Sequence, residues 1–166
     1  MDDTLIQFKE VIDEEIEAYE ALGELYKIKQ SILVQGKSDL LMGIDAQIVS
    51  KANFIKSLNS KRKDVAKYLG DENLTMSQVI DKAKAANDSI AEKLESQKTK
   101  LRIISKSLNL QETTNLTLIQ HGLTMVGKTL EIIVGAFVPQ ANKQYDKSGH
   151  DVKSYEELVS SIVEEA

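Results

Sequence analysis

Residues 5–33 read LIQFKEVIDEEIEAYEALGELYKIKQSIL, and their apolar side chains recur at gaps of mostly three and four residues. This spacing is typical of one face of an α-helix, in which 3.6 residues make a turn. Acidic residues, among them Glu10, Glu14, Glu17 and Glu24, occupy the other faces, where we expect them to be solvated. The segment therefore predicts one long amphipathic helix.

A second helix is predicted to fold back on the first. Gly36 ends the first helix, and Ser38 is the predicted N-cap of the next. A second apolar series then runs to Gly70 through Leu41, Ile44, Ile48, Ala52, Ile55, Leu58, Val65 and Leu69. Because the turn between the two helices is short, we expect an antiparallel helical hairpin.

The third helix has the strongest start signal in the chain. Thr75 and Gln78 fit a capping box, and Leu74 and Val79 fit the hydrophobic staple that accompanies it. The polar cluster 109–115 is the one place where the pattern allows a kink or break, and the sequence does not decide whether the helix is continuous there. If it is unbroken, this helix has about 60 residues and is longer than either helix of the hairpin. Part of its apolar face, within 116–137, is then expected to be available to another chain or to the protein's own tail.

The composition agrees with an all-α fold. One proline and eight glycines in 166 residues leave long stretches without helix breakers, and eight aromatic residues leave a core of aliphatic side chains. We predict an elongated antiparallel hairpin completed by a long third helix into a three-helix, coiled-coil-like bundle over residues 1–138. A flexible tail, 139–166, carries a short amphipathic helix at about 154–164 with Tyr155, Leu158, Val159 and Ile162 on its apolar side.

Several classes of function are disfavoured. Without cysteine the chain has no thiolate ligand or cysteine nucleophile, and neither His121 nor His150 belongs to a Glu-x-x-His pair. No catalytic residue, cofactor site or metal site is predicted. The basic run 61–63 is too short for a nucleic-acid footprint. With no secretion signal and no apolar run of bilayer length, we expect a cytoplasmic chain that does not insert into membranes.

One short motif raises a different function, the binding of a phosphate group. Residues 122–129, GLTMVGKT, match the spacing of a phosphate-binding loop, in which backbone N–H groups and a lysine hold phosphates. The residues before it continue a helical stripe, and no apolar strand ending in aspartate follows it. Because such loops sit at the edge of a parallel sheet, nucleotide binding is the remote alternative.

Two further motifs carry a family resemblance. The third helix contains Asn115-x-x-Leu118-Ile119, and the connector after Pro139 contains Tyr145-Asp146-Lys147-Ser148-Gly149. Together with the long hairpin they make the chain, over about residues 5–150, resemble flagellar export chaperones of the FlgN type. The resemblance implies a cytoplasmic, non-enzymatic chaperone that holds hook-associated proteins, which form the hook–filament junction, and delivers them to the membrane export gate.

The resemblance and the apolar pattern of the helices together indicate where the partners bind. The resemblance implies that Tyr145 and Gly149 contact the cytoplasmic domain of the export gate. A C-terminal helical segment of the client would lie in a groove formed by Asn115, Leu118, Leu123, Val126, Leu130, Ile133 and Phe137. The tail helix either shields this groove when no client is bound or itself holds the client. A generic helical adaptor, with a homodimer among its possible states, is the main alternative.

Overall fold

The computed structural model describes residues 2–86 and 88–137, and for Ala136 and Phe137 it describes the backbone alone. Four α-helices follow one another: α1 is Asp2–Val34, α2 is Leu41–Tyr68, α3 is Met76–Ala86 and α4 is Asp88–Phe137. A single 3-10 turn, Ser38–Leu40, precedes α2. This part of the chain contains no strand, and the predicted all-α fold is confirmed.

The turn after α1 depends on a glycine, as the sequence predicts. Gly36 has a φ of +66°, in the left-handed region that residues with a Cβ rarely adopt. Its N–H donates to the carbonyl of Leu33 at 3.2 Å, and the N–H of Lys37 donates to the carbonyl of Ile32 at 3.1 Å. These bonds satisfy the last carbonyls of α1.

The prediction that Ser38 caps the second helix is wrong. Ser38 begins the 3-10 turn, and the N-cap of α2 is Leu40, which makes no side-chain cap. The N–H of Leu40 donates to the carbonyl of Lys37 at 3.1 Å. Helical geometry therefore already includes Ser38, whereas a capping serine needs an extended backbone.

The start of α3 confirms the predicted capping box. The N–H of Thr75 donates to Oε1 of Gln78 at 2.8 Å, and the N–H of Gln78 donates to Oγ1 of Thr75 at 3.3 Å. Val79 is fully buried in the same apolar cluster that Leu74 packs against. The preceding Gly70, with a φ of +122°, ends α2 where the sequence predicts.

The predicted single third helix is instead two helices. Helix α3 ends at Ala86 and α4 begins at Asp88, and the sequence there, Asn87-Asp88-Ser89, offers three residue types that favour helix ends over helix interiors. Asn87 itself lies outside the described residues. The sequence left open whether the helix is continuous through 109–115, and α4 is continuous there. The hydroxyls of Thr113 and Thr114 donate to carbonyls four residues earlier, so these polar residues are accommodated within the helix.

Helix α1 packs against both α2 and α4. The antiparallel hairpin is seen in ion pairs between Lys29 and Asp45 and between Lys61 and Glu14. Helix α4 runs in the same direction as α1, since Gln97 bonds to the backbone of Lys9, whereas Asn115, further along α4, bonds to the backbone of Tyr26.

The buried side chains form two apolar clusters. One, near the start of α1, joins α1, the end of α2, α3 and the start of α4: Leu5, Phe8, Ile12, Ile16, Ala66, Leu69, Val79, Ile80, Ala83, Ile90, Ala91 and Leu94. The other joins the middle of α1 to α2 and α4: Ala18, Leu22, Ile55, Leu58 and Leu108. Every member of both clusters lies before residue 109.

The chain divides after Leu123 into two compact units. The first contains α1 to α3 and α4 up to that residue, and the described part of the second is residues 124–137 of α4. No helix among the described residues is long and apolar enough to cross a membrane. The predicted boundary at 138/139 and the predicted tail helix lie outside those residues.

Candidate protein-binding surface

A regular row of side chains on the first half of α4 faces α1. The row advances by three and four residues in alternation and consists of Leu94, Gln97, Leu101, Ile104, Leu108, Gln111 and Asn115. Its apolar members pack in the two clusters described above. At its end Nδ2 of Asn115, which is 4% exposed, donates to the carbonyl of Tyr26 at 3.0 Å.

A second row of side chains begins at the next residue and lies on a different side of α4 from the first row. It also advances by three and four residues, which keeps its members on one side of the helix. We call it the α4 stripe: Leu116, Ile119, Leu123, Val126, Leu130 and Ile133. Ile119 is partly buried, and the other five side chains are 45–67% exposed. Large aliphatic side chains in such a row are normally covered, so the α4 stripe is a candidate surface for another protein segment.

The surroundings of the α4 stripe carry little charge. Between 116 and 137 the only Asp, Glu, Lys or Arg residues are Lys128 and Glu131, whereas 88–115 contains nine such residues. Met125 and Ile132, on other sides of the helix, are also more than half exposed. A long, nearly uncharged apolar surface favours burial against an apolar partner rather than recognition by ion pairs.

The predicted groove residues fall into three groups. Leu123, Val126, Leu130 and Ile133 belong to the α4 stripe and are exposed. Asn115 is buried, and Leu118, partly buried, lies three residues after it on the row that faces α1. Phe137 continues the spacing of the stripe, but its side chain is not among those described. Leu116 was not among the predicted groove residues, although the spacing of three and four residues includes it.

The other predicted contacts lie outside the described residues. They are the gate residues Tyr145 and Gly149 and the tail residues Tyr155, Leu158, Val159 and Ile162. Their predicted roles rest on the sequence pattern and on the family resemblance.

The phosphate-loop motif is helical. Residues 122–129 lie wholly within α4, and Oγ1 of Thr129 donates to the carbonyl of Met125 at 2.9 Å. Backbone N–H groups inside an α-helix bond to carbonyls four residues earlier and do not converge on a ligand. In this conformation the motif offers no phosphate cradle.

Among the described residues, no group of three or more histidine, aspartate or glutamate side chains is placed to hold a metal ion.

A buried ion pair lies between the hairpin helices. Glu15 of α1 is 1% exposed, and its Oε2 accepts a hydrogen bond from Nη1 of Arg62 at 3.0 Å. Burial raises the pKa of Glu15 above its ordinary value, and the charge of Arg62 opposes that rise without cancelling it. The acidic residues of this helix were predicted to form a solvated face, and Glu15 was not singled out among them.

The chain matches the model of the FlgN protein family over residues 1–153. It belongs to the FlgN family. The match covers all of the described residues and also the connector that contains Tyr145 and Gly149, and it ends before the predicted tail helix. No curated protein and no solved structure matched the chain significantly.

Membership in the FlgN family identifies a flagellar export chaperone. Proteins of this family bind flagellar proteins in general. The resemblance drawn from the two short motifs is thereby confirmed at the level of the family.

Proposed function

We propose that this chain is a cytoplasmic export chaperone that binds hook-associated proteins, keeps them from assembling prematurely and delivers them to the flagellar export gate. The observation that supports it most directly is the exposed α4 stripe in a chain of the FlgN family. A client awaiting export has apolar helical segments whose assembly partners are still absent. Such a segment gains a place to be buried when it docks along the stripe as a further helix.

The energetics of the stripe suit reversible binding. Completing the burial of five half-exposed aliphatic side chains contributes roughly 4–8 kcal/mol. Association opposes this with about 4–15 kcal/mol of lost translational and rotational freedom. The stripe alone therefore gives at most weak affinity, which suits a client that must be released at the gate, and tighter binding requires contacts outside it.

Delivery is assigned to the connector. Tyr145 would insert its ring into a pocket of the export gate, because tyrosine supplies a large apolar area with few rotatable bonds. Gly149 would permit a backbone turn beside it. Since neither residue belongs to the α4 stripe, client binding and delivery are proposed to be separable. The chain acts as a binding protein in this proposal and performs no catalysis.

The tail helix is proposed to cover the α4 stripe when no client is bound. The predicted tail helix carries Tyr155, Leu158, Val159 and Ile162 on its apolar side. A helix of this length is too short to be stable alone in water. Truncation after Val152 should then raise the affinity for a client. A loss of affinity instead would show that the tail holds the client, and an unchanged affinity would exclude both roles.

The proposed function is tested by binding and export assays on the full-length chain. Purified C-terminal segments of candidate hook-associated proteins should be retained by the chain in a pull-down. Leu130→Glu should abolish retention, whereas Tyr145→Ala should retain the client and slow its export. If no segment is retained, the choice of client is wrong. If both variants fail in the same assay, the two sites are not separable.

A further inference from the structure

A cleft of about 370 Å3 lies in the middle of the first compact unit, between α1, α2 and α4. Its α1 side includes Glu15 and two tyrosines, its α2 side has two polar residues, and its α4 side is mainly polar. Its lining includes Glu15, Tyr19, Tyr26, Arg62, Ser105 and Glu112. The cleft is thus amphipathic, with apolar side chains in its walls and polar groups beside them.

Glu15 has capacity for a further hydrogen-bond donor. Its Oε2 is bonded to Arg62, whose Nη2 donates to Oδ1 of Asn59 at 3.1 Å. Its Oε1 is buried and accepts no hydrogen bond from any described residue. A buried carboxylate oxygen without a donor is unfavourable, and the raised pKa of Glu15, caused mainly by burial, agrees with incomplete compensation. A second cationic donor at this carboxylate would relieve that cost.

The α4 wall of the cleft is continuous with the α4 stripe. Leu123 follows Ser105 by 18 residues, which is five complete turns, so the two lie on one line along the helix. Ser105, Asn109 and Glu112 of the cleft and Leu116, Ile119 and Leu123 of the stripe all lie within about 40° of that line at 100° per residue. A partner helix laid along the stripe and extended toward the start of α4 therefore reaches the cleft.

We propose that the cleft is the inner end of the client-binding groove and receives a lysine or arginine side chain of the docked client helix. The proposal rests on the proposed function and names the client's chemistry: an apolar helical segment with a cationic residue near one end. Leu116 lies 11 residues, or about 16 Å along the helix axis, beyond Ser105. The cation is accordingly about three turns away from the first apolar contact.

The charges and rings of the cleft favour a cation over an anion. Its carboxylates are Glu15 and Glu112, and its one cationic group, Arg62, is already bonded to Glu15 and Asn59. The tyrosine rings provide an apolar wall for the aliphatic stem of a lysine or arginine. Placing this side chain in the cleft also fixes the direction and register of the client helix, which a uniform apolar stripe does not fix on its own.

The absence of cysteine from the chain permits a direct test of occupancy. Three full-length variants each carry one cysteine: Ser105→Cys in the cleft, Leu123→Cys on the stripe, and Ser96→Cys as the control. Ser96 is exposed and lies nine residues, or two and a half turns, before Ser105, on the opposite side of α4. The rate of alkylation by a maleimide is measured with and without the C-terminal segment of a hook-associated protein that the chain retains.

We expect the client segment to slow alkylation several-fold at positions 105 and 123 and to leave position 96 unchanged. Protection at 123 without protection at 105 would overturn the cleft proposal and leave the proposed function standing. Protection at neither position would overturn both. Equal protection at all three positions would indicate nonspecific coverage and would also overturn the cleft proposal.

The role of the carboxylate is tested separately by Glu15→Gln, with Glu14→Gln as the matched control. Glu14 is exposed and pairs with Lys61 outside the cleft. Because a hydrogen bond between charged groups is lost, Glu15→Gln should weaken client binding about tenfold, while Glu14→Gln should not change it. Unchanged affinity in a Glu15→Gln chain would overturn the assignment of a cationic partner. Thermal unfolding of both variants checks that each remains folded.

Discussion

The two halves of α4 have the same spacing of apolar residues and very different surroundings. In the first half, Leu94 is completely buried, and Leu108 is 9% exposed. In the second half, Leu123 and Leu130 are more than half exposed. A regular apolar row therefore predicts a helix that packs against a partner. It does not predict whether that partner belongs to the same chain or to another. In the first half the partners are other helices of the same chain, α1 among them, and in the second half we propose that the partner is the client.

The largest expected difference between the halves concerns stability. Leu94→Ala removes a fully buried side chain from the first apolar cluster and should lower the free energy of unfolding by about 2–5 kcal/mol. Leu130→Ala truncates an exposed side chain and should change it by less than about 0.5 kcal/mol. Urea unfolding of both variants, followed by circular dichroism, provides the measurement. Equal losses would show that the second half is as well packed as the first.

A smaller effect is expected where the buried row of α4 ends. Asn115→Ala removes the hydrogen bond to the carbonyl of Tyr26 and should lower the free energy of unfolding by about 1 kcal/mol. Asn109→Ala, an exposed position on the same helix, is the control and should have little effect. If the two substitutions are equivalent in urea unfolding, Asn115 does not hold the end of the row against α1.

The smallest effect depends on pH and concerns Glu15. Because its pKa in the folded chain is raised above the ordinary 4.5, its contribution to stability is fully present below about that pH and is lost as the pH rises through the folded pKa. A glutamine at this position does not titrate. The stability of the Glu15→Gln variant relative to the unmodified chain should therefore increase between about pH 4 and pH 7. Urea unfolding at both pH values measures this, and a constant difference would contradict the raised pKa.

Much of the fold follows from local sequence signals. Gly36, Gly70 and the Thr75–Gln78 capping box mark helix ends by their own backbone requirements, and all three predictions are confirmed. The division into α3 and α4 was missed because the apolar row runs through it. In that region Asn87-Asp88-Ser89 carries the signal. The polar residues of 109–115 do not interrupt α4, because the threonines among them bond to carbonyls of the same helix.

The polar part of the candidate site was harder to predict. Glu15 lies at a core position of its helix, three residues after Ile12 and four before Tyr19, and Arg62 lies four residues after Leu58 in α2. An acid and a base at core positions of two predicted neighbours are a usable signal for a buried pair. The cleft beside them depends on how three helices diverge, which no single helix pattern specifies. The exposure of the α4 stripe was predictable from the excess length of the last helix over the hairpin.

The central claim is that the α4 stripe binds the client, and one matched pair of variants tests it most directly. Leu130→Glu alters the stripe, and Ile132→Glu alters another exposed aliphatic position about 200° around the same helix. The measurement is the affinity of each full-length variant for a labelled C-terminal segment of a hook-associated protein. Leu130→Glu should weaken binding at least about tenfold, because it buries an unpaired carboxylate, and Ile132→Glu should leave binding unchanged. Equal losses, or unchanged binding by Leu130→Glu, would contradict the claim.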